Sequence, residues 1–154
     1  MSYAIDTNIL ARSIEEAHPM HQIASEAVET LVSSEELVCI FPQVLYEFWV
    51  IATRPREQNG LGMSAAEAEL QCVTFERIFT MMPDVPSIYA EWKSLVSQHE
   101  VMGKKAHDAR IVAAMKVHNV SHLLTFNSDD FKRFQGIITV TEPADLVQPL
   151  QPPA

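Results

Sequence analysis

The chain has 154 residues, 47% of them hydrophobic, with 20 Asp+Glu against 11 Lys+Arg and a formal net charge of -9. That length and apolar content suit one folded domain with a real core and exclude global disorder. The acidic balance excludes a protein that coats nucleic acid by charge alone. Two cysteines, Cys39 and Cys72, exclude a disulfide framework or a zinc ribbon.

The N-terminal stretch MSYAIDTNILARS lacks the basic start and apolar run of a signal peptide. No run approaches the ~18 apolar residues of a membrane span. With the cysteine usage, these features predict a reducing, cytoplasmic setting. Four short apolar runs are predicted as strands: Ser2–Ile5, Leu37–Phe41, His122–Phe126 and Ile137–Val140. They do not alternate cleanly, as expected of strands covered on both faces. Helical spacing links Ile23, Ala27, Val28, Leu31 and Val32 after Pro19, and Val44, Leu45, Phe48, Trp49, Ile51 and Ala52 after Pro42. Arg54–Gly62, with Pro55, Asn59, Gly60 and Gly62, reads as a loop. Ser64 and Glu67 form a capping box before a helix predicted to run towards Met82. Ile88, Trp92, Leu95 and Val96 mark another helix; Ile111, Val112 and Met115 mark the last long one, which Asn119 can end. Strands alternating with helices predict an α/β fold with a mostly parallel sheet. The domain is expected over residues 1–147, with the Pro-rich residues 148–154 as an extended tail.

In such sheets, ligands bind beyond the carboxyl ends of the strands. Asp6-Thr7-Asn8 follows the first strand directly, and Asn127-Ser128-Asp129-Asp130 follows the third. Glu47 lies one turn into the helix after the second strand, three residues after Val44 and four before Ile51, on an apolar face. Asp108 is followed at +3, +4 and +7 by Ile111, Val112 and Met115, which aims it towards the core side. Each acid alone has an ordinary reading: Asp6, Asp108 and one of Asp129 and Asp130 as caps, Glu47 as a surface residue. Together, carboxylates without matching cations repel one another and are costly to desolvate. A divalent cation relieves both costs, and oxygen ligands suit Mg²⁺ or Mn²⁺.

The pieces Tyr3–Leu10 (YAIDTNIL), Pro42–Phe48 (PQVLYEF), Asp108–Ala114 (DARIVAA) and Leu124–Phe131 (LTFNSDDF) resemble, in order, the PIN-domain ribonuclease family, in particular the VapC-type toxins of prokaryotic toxin–antitoxin pairs. The opening strand-Asp-Thr-Asn is the most specific of them. The resemblance implies a three-layer α/β/α sandwich and metal-dependent endonucleolytic cleavage of RNA. By position, Asp6, Glu47 and Asp108 match the family's metal-binding acids, with Asn127 or Asp130 completing the site and Asp130 as a fourth metal ligand. Asn127 is neutral and would orient a water or supply an amide oxygen. Thr7 and Asn8 match the opening motif and would hydrogen-bond Asp6 or the substrate. Lys104, Lys105 and Arg110 flank Asp108 and would hold RNA phosphates. A homodimer and a small antitoxin partner that blocks the site are implied as well. Two alternatives remain: a phosphatase of the haloacid-dehalogenase kind, which wants an aspartate where Asn8 stands, and a degenerate PIN domain that only binds RNA or protein. Trp49 and Trp92 both read as core residues rather than base-stacking platforms.

Overall fold

The computed structural model describes residues 1–147; the expected tail, 148–154, lies outside the described residues. The chain runs β1 (Ser2–Ile5), α1 (Thr7–Ile14), α2 (His21–Val32), β2 (Leu37–Ile40), α3 (Pro42–Thr53), α4 (Ala65–Ile78), β3 (Thr80–Met81), α5 (Pro86–Gln98), α6 (Lys105–Val117), β4 (His122–Leu124), β5 (Thr139–Thr141) and α7 (Pro143–Leu146). Two 3-10 segments, Arg56–Gln58 and Ser128–Phe134, lie in the connections. The five strands pair in the order β3-β2-β1-β4-β5, and every pair is parallel. Successive residues of β1 and β2 are buried alike, from Tyr3 to Ile5 and from Val38 to Ile40. Because neighbouring strand residues point to opposite faces, both faces of the sheet are covered.

The strand order sets the position of the site. From β1 the chain first builds outward through β2 and β3, then returns to lay β4 and β5 on the other side of β1. The β1–β4 boundary is thus a topological switch point, where the connections leave in opposite directions and open a crevice.

Local sequence accounts for most boundaries. Pro42 stands in the first turn of α3, where its missing N–H costs nothing. The capping box before α4 forms as expected: Ser64 accepts from the Glu67 N–H, and Glu67 accepts from the Ser64 N–H. Asn119 (φ 56°) closes α6 in the left-handed region, and the Val120 N–H reaches back to the Met115 carbonyl at 2.8 Å. The core joins Phe41, Phe48, Phe131 and Phe134 to the strand residues, and Phe48 meets Phe75 edge-on at 5.0 Å between ring centres.

Three expectations change. The helix predicted to run towards Met82 stops at Ile78, because Thr80–Met81 pairs with Cys39–Ile40 as an edge strand. Two residues are too few to show any alternation. Helix α1 was hidden because its eight residues begin inside the Asp-Thr-Asn motif; Ile9, Leu10 and Ala11 are its buried face. The last strand is Thr139–Thr141 in place of Ile137–Val140, starting two residues later and ending one later, in the register that pairs Leu124 with Thr141.

Candidate active site

Asp6 ends β1 in the switch-point crevice, where its N–H donates to the Leu124 carbonyl of β4 at 3.1 Å. It caps α1: Oδ1 accepts from the Thr7 N–H at 2.8 Å. Its Oδ2 accepts from Thr125 Oγ1 at 2.7 Å and from Asn8 Nδ2 at 3.4 Å. The side chain is nearly inaccessible, at 6% exposure. Burial pushes its carboxyl up to about 6, against the lowering effect of the Thr125 and Thr7 hydrogen bonds, and the nearby Glu47 and Asp130 push it further.

The other acids arrive from separate elements. Glu47 projects from α3, with Oε2 accepting from Thr7 Oγ1 at 2.8 Å and Oε1 from Gln43 Nε2 at 2.9 Å. Asp108 lies in the first turn of α6, a helix buried on most sides through Ala109 and Ile111–Met115. Its carboxyl is also raised to about 6, first by burial and then by Asp6, Asp130 and Glu47; only Lys105 opposes the rise. Asp130 comes from the Ser128–Phe134 segment, and Lys105 Nζ stands 3.8 Å from its Oδ1. Asp6, Glu47, Asp108 and Asp130 therefore share one field of negative charge, which the exposed Lys105 partly offsets.

Of the two neighbouring acids, Asp129 points away. It is 82% exposed and pairs with Lys132 at 2.8 Å, a contact that holds its carboxyl below the usual value. Asn127 is exposed beside Asp130, in a small cleft whose rim also includes Ser128, Asp129 and Glu142. Its N–H donates to Thr125 Oγ1.

Several residues expected to meet substrate are occupied elsewhere. Thr7 is buried and its hydroxyl is committed to Glu47. The Asn8 amide is divided between Asp6, Thr125 Oγ1 and the Phe126 N–H, tying α1 to the end of β4. The position where the phosphatase alternative wants a second aspartate thus holds an amide whose donors and acceptor are already committed. Arg110 turns to Asp84 at 3.0 Å and to Gln43 Oε1 at 3.1 Å. Lys104 and Lys105 are exposed at the start of α6, and Lys105 stands beside Asp130. Trp92 packs as expected, its indole N–H donating to the Ala106 carbonyl at 2.7 Å. Trp49 does not: it is 38% exposed and lines a groove with Leu45, Tyr46, Cys72 and Val73. The apolar stripe of α3 is wider than the face that the sheet covers.

Two residues escaped the sequence reading, Thr125 and Gln43. Thr125 is fully buried, donates to Asp6 and accepts from the Asn127 N–H. Its signal was a lone hydroxyl inside an apolar strand run. Thr125→Val should lower stability by about 1–3 kcal/mol by leaving these partners unsatisfied. A thermal melt at pH 7 checks this; an unchanged midpoint would remove Thr125 from the support of Asp6. Gln43, four residues before Glu47, is 7% exposed.

The donor set is all oxygen and short of positive charge, which suits a hard divalent cation. Among the described residues no three His, Cys, Asp or Glu side chains make a ready coordination set. An ion here would have to complete its shell with water, as Mg²⁺ usually does.

Comparison with known proteins places this arrangement. The PIN domain family model matches residues 3–137. The Mycobacterium tuberculosis protein named ribonuclease VapC48 is 22% identical over 138 residues, covering 89% of this chain and 94% of that protein. The crystal structure of VapBC2 from Rickettsia felis, bound to a DNA fragment from its promoter, contains a chain similar in fold. Its TM-score is 0.69 at 17% identity, with 92% of this chain and 98% of that chain covered. The Mycobacterium tuberculosis toxin VapC20, described as cleaving the sarcin-ricin loop, gives a TM-score of 0.62 at 19% identity, covering 84% and 92% of the two chains. The family match begins in β1 and ends beyond Asp130, so it spans every segment that delivers a carboxylate to the crevice, and the chain belongs to the PIN domain family.

Proposed function

We propose that this protein is a divalent-metal-dependent endoribonuclease, the toxin of a VapBC-type toxin–antitoxin pair. The observation that carries the reading is the convergence of Asp6, Glu47, Asp108 and Asp130 at the switch point, two of them with carboxyls raised to about 6. A degenerate PIN domain would have no reason to keep this unfavourable cluster. The ribonuclease name of the relative, and the VapBC structures and the Klebsiella pneumoniae toxin–antitoxin complex among the structural neighbours, support the same reading.

Asp6, Glu47, Asp108 and Asp130 would hold one or two Mg²⁺ or Mn²⁺ ions. Such an ion activates water for attack on a phosphodiester and offsets charge on the phosphoryl group. The chain's own residues do the rest. Thr7, Thr125 and Asn8 fix the carboxylates of Asp6 and Glu47 by hydrogen bonds. Asn127, exposed at the mouth, orients a water or the substrate. Lys104 and Lys105 hold RNA phosphates against the acidic surroundings. A partner antitoxin and a second copy of the chain complete the assembly. The apolar groove of α3 and α4, with Tyr46 and Trp49 exposed in it, is the kind of surface that a protein partner covers.

Cleavage of a structured RNA with Mg²⁺ or Mn²⁺, abolished by chelation, tests the reading. Within that assay Asp130→Asn should weaken metal binding and cleavage, Asn127→Ala should lower turnover with metal affinity kept, and Asp129→Asn should do neither. Loss of cleavage in Asp129→Asn alone would overturn the assignment of the fourth acid.

A further inference from the structure

Gln43 occupies a position that the carboxylate chemistry does not explain. The residue is buried at 7% exposure, and its amide makes three hydrogen bonds. Nε2 donates to Glu47 Oε1 at 2.9 Å and to the His107 carbonyl at 2.8 Å. Oε1 accepts from Arg110 Nη1 at 3.1 Å, while Arg110 Nη2 pairs with Asp84 at 3.0 Å. The two N–H donors of the amide are thus both spent, one on the side chain of one acid and one on the backbone next to Asp108.

The orientation of the amide follows from its partners. A guanidinium only donates; a carboxylate and a carbonyl only accept. A flipped amide would set its oxygen against Glu47 and the His107 carbonyl and its NH₂ against Arg110, losing all three bonds. The guanidinium also polarises the amide, strengthening the donors aimed at Glu47. Elsewhere α3 packs chiefly on α1 and α4, and α6 on α5, so little other contact ties α3 to α6.

We propose that Gln43, with its amide oriented by the Arg110–Asp84 pair, is a positioning residue that fixes Glu47 relative to Asp108. Arg110 then serves the acids through Gln43 and not by holding an RNA phosphate. The proposal rests on the metal-dependent nuclease reading above.

Gln43→Met keeps the length of the side chain and removes its hydrogen bonds. Mn²⁺ affinity, measured by calorimetry without RNA, should fall by about 10–100-fold, the range seen when a residue supporting a metal ligand is lost. In cleavage, kcat should fall with little change in KM. Arg110→Met should act in the same direction, and the double variant should be no worse than Gln43→Met, because both act through one amide. Wild-type Mn²⁺ affinity in Gln43→Met would overturn the proposal. So would Arg110→Met raising KM at unchanged kcat, or additive losses in the double variant. If Gln43→Met does not fold, Arg110→Met, on a side chain 32% exposed, carries the same test through Mn²⁺ affinity. A wild-type protein that neither binds Mn²⁺ nor cleaves RNA would instead overturn the nuclease reading itself.

Discussion

Asp6→Asn should abolish RNA cleavage, by more than the ~10–100-fold typical of a residue that merely supports a ligand, and should make the protein more stable at pH 7. The sign comes from the environment of the carboxyl. Its pKa in the fold is about 6 against 3.8 for the free group. The folded state therefore keeps the proton to higher pH than the unfolded chain does, and its stability is greatest below about pH 4 and falls as pH rises through about 6. Asn has no charge to bury and escapes that fall. Asn keeps one acceptor oxygen in place of two, so if its oxygen stays on the Thr7 N–H the Thr125 and Asn8 donors lose theirs. This offsets most of the gain and leaves about 1 kcal/mol, or about 2–4 °C in melting temperature. The advantage should vanish near pH 4. Melts at pH 4 and pH 7 with a cleavage assay check both halves, and an Asn variant that cleaves like the wild type sinks the site assignment.

Divalent metal should stabilise the wild type strongly. An ion that binds only the folded state adds about 2.7 kcal/mol at 100 times its dissociation constant, roughly 5–10 °C for a chain of this size. The ion must displace protons that Asp6 and Asp108 hold up to about pH 6, so the rise should be larger at pH 7.5 than at pH 5.5. Glu47→Gln or Asp108→Asn should blunt it. Thermal melts with and without Mn²⁺ read this directly. Equal rises in all three proteins would point to ionic screening rather than a site.

The sequence by itself determined the sheet's inner strands and the delivery of acids to one edge. Local rules suffice for both: buried strands show as apolar runs, a residue after a parallel strand must emerge at its carboxyl end, and an acid on an apolar helix face has one direction to point. Ser64 with Glu67 likewise needs only local geometry, and it formed as read. Tertiary structure alone decided the partners. Thr7 reaches Glu47 across 40 residues, Thr125 reaches Asp6 across 119, and Arg110 reaches Gln43 across 67. No spacing rule extends over such separations, so Arg110 read as an RNA contact is instead tied to Gln43 and Asp84. Tertiary structure also separated Asp129 from Asp130. In a 3-10 segment, with three residues per turn, neighbours point about 120° apart, so only one of an adjacent pair can face the crevice. The phase of that turn is set by Phe131 and Phe134 burying into the core, and it leaves Asp130 beside the other acids and Asp129 with Lys132 in solvent.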